Sequence, residues 1–160
     1  MHIPELTRKH RAALDEVIVI LMRAYATKDW SDVATADTFL DRLEVEVLQY
    51  DEDDAEDMKK IQHDIEEGAG GHDWTKVAVS IQHLCAVSGR AYPIKELSKK
   101  EAAIYLALTQ QGIRKAVEAG KLAEKRIGSI QLFAIKDLDQ YRREVKGRVF
   151  GMEKTYEKSD

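Results

Sequence analysis

Between residues 109 and 131 the chain carries a set of polar side chains whose types suit contact with a nucleic acid. Arginine can form two hydrogen bonds with the edge of guanine, and glutamine can do the same with adenine. Lysine and arginine also neutralise phosphates, which positions a protein on a duplex without reading its sequence. We expect Arg114 and the neighbouring glutamines to contact bases, and Lys115, Lys125 and Arg126 to contact phosphates. The candidate DNA-binding residues are Thr109, Gln110, Gln111, Arg114, Lys115, Lys125, Arg126, Ser129 and Gln131.

The pattern of residues does not indicate catalytic or metal chemistry. An EF-hand calcium loop beginning at Asp51 would need glycine at its sixth position and glutamate at its twelfth, where the chain has Glu56 and Gln62. The glycine-rich stretch 68–71 lacks the lysine and hydroxyl residue of a phosphate-binding loop. A single cysteine, Cys85, excludes a cysteine-based zinc cluster. We expect no metal, no cofactor and no enzymatic activity.

The candidate residues belong to a segment, 97–141, whose helix signals form one small module. Ser98 and Glu101 have the spacing of a capping box, which predicts the start of a helix. Thr109 can cap a second helix, and Gly120 is suited to end it. The apolar side of this second helix is formed by Ile113, Ala116 and Val117, and its polar side includes Gln110, Gln111, Arg114 and Lys115.

A predicted β-hairpin follows the two helices. The β-prone runs 124–127 and 130–135 are joined at Gly128-Ser129, a pair that favours a tight turn with glycine at its first central position. Residues 136–141 then begin a closing helix. The hairpin would form a wing beside the helix pair.

This order of elements resembles the winged helix-turn-helix of the MerR and excisionase families, over about 45 of 160 residues. The resemblance implies that the second helix inserts into the major groove of double-stranded DNA. It further implies a sequence-specific DNA-binding protein: a prokaryotic or phage transcriptional regulator, or an excisionase-like factor. The matching positions are Leu97, Glu101, Ala102, Ala103, Leu106, Thr109, Gly120, Lys121, Leu122, Arg126, Ile127, Gly128, Ile135, Asp137, Leu138 and Tyr141.

A winged module that binds protein instead of DNA, as an adaptor or an antitoxin-like partner, is the alternative. The related families usually have glycine where this chain has Ala107. Their wings usually carry several basic residues, where this one contains the apolar pair Leu132-Phe133. Both departures favour the alternative.

The rest of the chain predicts a mainly α protein with an N-terminal helical bundle and a C-terminal winged helix-turn-helix with a small β-hairpin. We expect an acidic four-helix domain over 1–90, and over 91–160 the winged module with a basic C-terminal extension. The glycines of 68–71 are expected to stop the third helix, and no internal repeat is evident. The apolar face of the first helix is broad around 17–22, which indicates a helix that either lies centrally in its domain or has one face against a second subunit. We expect this domain to form a homodimer, or to receive a signal or bind a partner.

Charge is distributed unevenly between the two predicted domains. Residues 1–90 contain 10 Lys and Arg against 19 Asp and Glu, a net charge of −9, whereas residues 91–160 contain 15 against 10, a net charge of +5. This asymmetry is expected when one half of a protein meets a polyanion. No apolar run approaches the roughly 20 residues that span a bilayer, and no signal peptide is evident. We expect a cytoplasmic protein without a membrane partner.

Overall fold

The computed structural model describes residues 8–48 and 52–149, and it is mainly α-helical with one small antiparallel sheet, as the sequence predicts. Asp51 and residues 150–160 lie outside the described residues. The basic extension predicted for 142–148 continues the closing helix, which runs to Val149. The chain divides into two compact units, Met1–Pro93 and Ile94–Asp160. The elements in chain order are α1 (Arg8–Thr27), α2 (Trp30–Leu48), α3 (Glu52–Gly71), α4 (Trp74–Ser88), β1 (Glu96–Ser98), α5 (Lys99–Leu106), α6 (Gln110–Glu118), β2 (Lys125–Ile127), β3 (Ile130–Ala134) and α7 (Ile135–Val149).

The first unit is a four-helix bundle in which each helix packs against two neighbours. Val19 and Ile20, which make the apolar face of α1 broad, are buried within a single copy of the chain. A helix that is apolar around much of its circumference is expected to be buried, and α1 meets that expectation without a second subunit. The breadth of its apolar face therefore no longer favours a homodimer.

Two interhelical turns of the bundle have the same structure. Lys28 and His72 follow α1 and α3 with positive φ angles of 56° and 55°. The next residue in each turn is an aspartate whose amide donates to a carbonyl of the preceding helix, at 3.1 Å for Asp29 and 2.7 Å for Asp73. Each aspartate carboxylate also accepts from the amide two residues later, at 2.9 and 3.0 Å, and so caps the next helix.

These turns belong to an internal repeat of a helical hairpin, with an offset of 44 residues, the difference between positions 29 and 73. The expectation that the chain has no repeat is therefore wrong. Besides the shared Asp-Trp pair, Val33 and Val77 are identical, as are Leu40 and Leu84. The other buried equivalent positions named below change residue type, so letter-by-letter comparison shows the repeat only weakly. The two tryptophans, Trp30 and Trp74, stack with ring centroids 3.8 Å apart. Buried equivalent pairs include Leu14 and Met58, Val17 and Ile61, Leu21 and Ile65, Val33 and Val77, Leu40 and Leu84, and Leu43 and Val87.

Gly68 does not stop α3, contrary to the prediction, because the helix continues through all the glycines to Gly71. Its role is to allow close packing. A Cβ at position 68 would lie 3.1 Å from the Cβ of Lys76 and 3.2 Å from the carbonyl oxygen of Asp73. A Cβ at Gly70 would have no atom within 4 Å. Gly68 therefore lets α3 and α4 approach each other just before the turn that joins them.

The second unit contains a three-stranded antiparallel sheet with the order β1-β3-β2. The predicted hairpin is confirmed as β2 and β3, except that Ile135 begins α7 instead of ending the strand. The third strand, β1, was not predicted, because three residues are too few to show a period. It pairs Leu97 with Phe133, and both side chains are buried. The sheet thereby supplies part of the core on which the helices of the unit pack.

Matched substitutions test the packing role of Gly68. Alanine in a helix interior is normally more stable than glycine by about 0.5–1 kcal/mol. We expect Gly70→Ala to raise the free energy of unfolding by this amount, and Gly68→Ala to lower it by about 1 kcal/mol because the added methyl group overpacks the helix contact. Urea unfolding monitored by tryptophan fluorescence measures both, since the two tryptophans lie in the first unit. Equal stabilisation by the two variants would contradict the close approach.

Candidate nucleic-acid interface

The two consecutive helices predicted from the sequence are observed as α5 and α6, which are joined by a short turn. The Ser98 hydroxyl accepts from the Glu101 amide at 3.2 Å, and the Glu101 carboxylate accepts from the Ser98 amide at 3.0 Å, which confirms the capping box. Ala107 follows α5 with φ 57° and ψ 44°, in the left-handed region. The Thr109 hydroxyl accepts from the Gly112 amide at 2.9 Å and caps α6, as predicted. At this turn an alanine therefore adopts the left-handed conformation that glycine usually adopts.

Helix α6 has one buried and one exposed side. Ile113 and Ala116 are buried against the unit, whereas Arg114 and Lys115 are exposed. Neither of these two cations has an ion-pair partner among the residues that the structure describes. A solvated arginine and lysine next to glutamines can donate to base edges and phosphates without first leaving a protein partner. The exposed candidates of this helix and its cap are Thr109, Gln110, Gln111, Arg114 and Lys115.

The remaining candidates lie on the hairpin, where three of them have polar partners. Lys125 Nζ lies 3.2 Å from a carboxylate oxygen of Glu96. Glu124 accepts from Gln131 at 2.7 Å, and Arg126 Nε lies 3.2 Å from the same carboxylate. Sequence analysis did not predict these pairs. They are exposed, and exposed ion pairs contribute roughly 0–1 kcal/mol, so a phosphate can compete for either cation.

The tip of the hairpin is a two-residue turn in which Gly128 has a φ of 63°, as the sequence predicts, and Ser129 is exposed beside it. Phe133 is fully buried, so it belongs to the core and not to the surface of the wing. The prediction that Leu132-Phe133 gives the wing an apolar surface is wrong for Phe133. The exposed apolar residues are instead Ile127 and Ile130, which flank the turn.

A partly buried cluster of three side chains joins α5 to α7. The Tyr105 hydroxyl donates to Asp139 Oδ1 at 2.6 Å, and Arg142 donates to the same oxygen at 3.0 Å. Arg142 also donates to the carbonyl oxygen of Tyr105 at 2.7 Å and lies over the tyrosine ring, with its guanidinium carbon 4.4 Å from the centroid. Burial, together with the bond to Asp139, raises the pKa of Tyr105 to about 12. Tyr105 was not predicted from the sequence, although its helical spacing from Ala102 could have indicated that it is buried.

The described residues contain little that would support a competing kind of site. No group of three or more His, Cys, Asp or Glu side chains within 8–48 and 52–149 could hold a metal ion.

Glu44 is buried between α2 and α3 with Lys59 Nζ 3.7 Å from one carboxylate oxygen. Burial raises the pKa of this carboxyl, and Lys59 offsets only part of that effect. None of the helices described is long and apolar enough to cross a membrane.

Comparison with known proteins adds no information about the candidate interface. No protein-family model matches the chain, and no curated protein and no solved structure matches it either.

Replacing Ala107 with glycine tests the strain in the turn between α5 and α6. A non-glycine residue in the left-handed region costs roughly 1–2 kcal/mol, and the greater flexibility of glycine in the unfolded chain offsets part of this. We expect Ala107→Gly to raise the free energy of unfolding of the second unit by about 0.5–1 kcal/mol. Ala119 has an ordinary φ of −80°, so Ala119→Gly should not stabilise. Denaturation monitored by far-UV circular dichroism compares them, and a gain in both variants would contradict the strain.

The phenol of Tyr105 makes the stability of the second unit sensitive to alkali. We expect Tyr105→Phe to lower the free energy of unfolding by about 1 kcal/mol at pH 8. The pKa of Tyr105 rises from 10.0 to about 12 on folding, so its contribution is complete below pH 10 and is lost as pH rises through 12. The difference between parent and variant should therefore shrink over this range in denaturation experiments. A constant difference would show that the bond to Asp139 does not depend on a neutral phenol.

Proposed function

We propose that the second unit binds double-stranded DNA with α6 in the major groove, and that the protein is a sequence-specific DNA-binding regulator of the MerR or excisionase type. The proposal rests on the observation that α6 has one buried side and one exposed side. Its buried side, Ile113 and Ala116, attaches the helix to the unit, while Gln110, Gln111 and Arg114 are exposed near its N-terminus. Helix-turn-helix proteins read bases with the N-terminal residues of the second helix.

The charge of the chain supports the same proposal. The net charge of +5 over residues 91–160 favours association with phosphates. Arg114 and Lys115 provide cations on α6 itself, and Lys125 and Arg126 provide two more on the hairpin, once phosphate replaces their carboxylate partners. The proposed protein is a cytoplasmic regulator and not an enzyme.

We assign the acidic four-helix unit a separate role. Its net charge of −9 over residues 1–90 disfavours contact with phosphates. In the proposal it forms a homodimer or receives a signal, and a homodimer would match a DNA site with two half-sites. Because Val19 and Ile20 are buried, a dimer contact would have to use another face of the bundle.

Binding to a protein instead of DNA is the second candidate function of the winged unit. One observation favours it: Lys125 and Arg126 are paired with carboxylates within the unit. A wing that neutralises its own charge attracts phosphate less strongly than one with free cations.

Substitution of Arg114 distinguishes the two candidates. A duplex selected by the parent protein from a random-sequence pool provides the probe, measured against random DNA at several salt concentrations. We expect Arg114→Ala to cost roughly 1–3 kcal/mol on the selected duplex and to relax preference at one base pair. Lys125→Ala should weaken binding to all sequences about equally and lower the salt slope by about one.

Arg143→Ala is the matched control, because Arg143 is an exposed arginine of α7 that the proposal does not place on DNA. It should bind the selected duplex as the parent does. If Arg114→Ala and Lys125→Ala also leave affinity, base preference and salt slope unchanged, α6 is not a recognition helix and the protein-binding function replaces the proposal.

A further inference from the structure

The hairpin tip presents two isoleucines to solvent. Ile127 is 54% exposed and Ile130 is 57% exposed, and they are cross-strand partners in the register of β2 and β3. Directly opposed residues of an antiparallel pair lie on the same face of the sheet. The two side chains therefore form one small apolar pair on either side of the turn Gly128-Ser129.

The residues around this pair make it an apolar tip on a polar hairpin. Neither Gly128 nor Ser129 carries a charge, and the tip is only two residues wide because Gly128 adopts a positive φ. Immediately behind it, Lys125 is 3.2 Å from Glu96, and Arg126 is paired with Glu124. The solvent-facing side of a strand normally carries polar residues. The contact between the two isoleucines stabilises the hairpin only modestly, so stability alone does not account for two exposed isoleucines at this position.

The small apolar area of the pair limits the kind of partner that could bury it. A stable protein interface buries roughly 800 Å² on each partner, and two isoleucine side chains at a narrow tip can supply only a small part of that area. Insertion between base pairs needs much less. Isoleucine is among the side chains that DNA-bending proteins insert into a base step from the minor groove, where one or two residues are sufficient.

We propose that the hairpin tip enters the minor groove and inserts the side chains of Ile127 and Ile130 at a base step, which kinks the duplex. This inference rests on the proposed function, because it requires α6 to occupy the neighbouring major groove. Lys125 and Arg126 then exchange their carboxylate partners for the phosphates that flank the kink. The ligand is a duplex with a flexible pyrimidine–purine step under the tip, since these steps unstack most easily.

The test measures the bend directly in the full chain. The probe is the duplex selected by the parent protein from a random pool, labelled at its two ends with a fluorescence donor and acceptor. We expect the parent to shorten the end-to-end distance. The double substitution Ile127→Ser/Ile130→Ser should return energy transfer to the level of the free duplex and reduce affinity about tenfold, because a straight duplex touches less of the protein surface than a bent one. Ile127→Leu/Ile130→Leu should retain the bend.

Val45→Ser is the matched control for loss of an exposed aliphatic side chain, because Val45 is 60% exposed and lies in the first unit. It should bend the duplex as the parent does. A second duplex, in which each pyrimidine–purine step outside the contact of α6 is replaced by an A-tract, should bind the parent about tenfold more weakly but should be indifferent to the serine substitutions. This dependence on DNA stiffness would not arise from a merely weakened fold.

The experiments distinguish failure of the insertion at a base step from failure of DNA binding. If the parent selects and binds DNA through Arg114 while the serine and parent proteins bend both duplexes equally, the insertion at a base step is wrong and the proposed function stands. If the parent binds no DNA at any salt concentration, the proposed function fails and the insertion fails with it. A bend that depends on the two isoleucines and on the flexible step supports both.

Discussion

Tight reversal of the chain through a left-handed residue other than glycine is the constraint on which both units depend. Within the described residues, Lys28, His72 and Ala107 occupy this position after α1, α3 and α5. Each costs roughly 1–2 kcal/mol relative to an ordinary conformation. A side-chain cap at the start of the next helix, Asp29, Asp73 or Thr109, contributes about 1 kcal/mol in return.

In the second unit this constraint determines which side chains of α6 are exposed. The turn at Ala107 fixes where α6 leaves α5, and the Thr109 cap fixes its first turn. The bonds of Tyr105 to Asp139 and Arg142 hold α7 against α5. Because the packed side of α6 is occupied by its apolar residues, its arginine and glutamines remain on the exposed side. The exposed polar surface of α6 is thus a consequence of helix packing in a unit of modest size.

The cations of the second unit are found in two different environments. On α6 the cations are solvated, whereas on the hairpin Lys125 and Arg126 are held by carboxylates and the tip is apolar. These pairs reduce the net positive charge at the hairpin, whereas Arg114 and Lys115 on α6 have no carboxylate partner among the described residues. In the proposed complex with DNA, the hairpin would therefore contribute shape and apolar contact more than charge.

Features that depend only on neighbouring residues could be predicted from the sequence. The capping box at Ser98, the cap at Thr109, the hairpin turn at Gly128 and the polar face of α6 were all predicted, because each is set by local hydrogen bonding or helical period. Tertiary structure decided the features that join distant positions. The carboxylate of Glu96 meets Lys125 across 29 residues, β1 exists only because β3 pairs with it, and Gly68 is explained only by the approach of α4. The repeated hairpin was recognised from the structure, because burial constrains the size and polarity of a core residue more strongly than its identity, so few equivalent positions share a residue type.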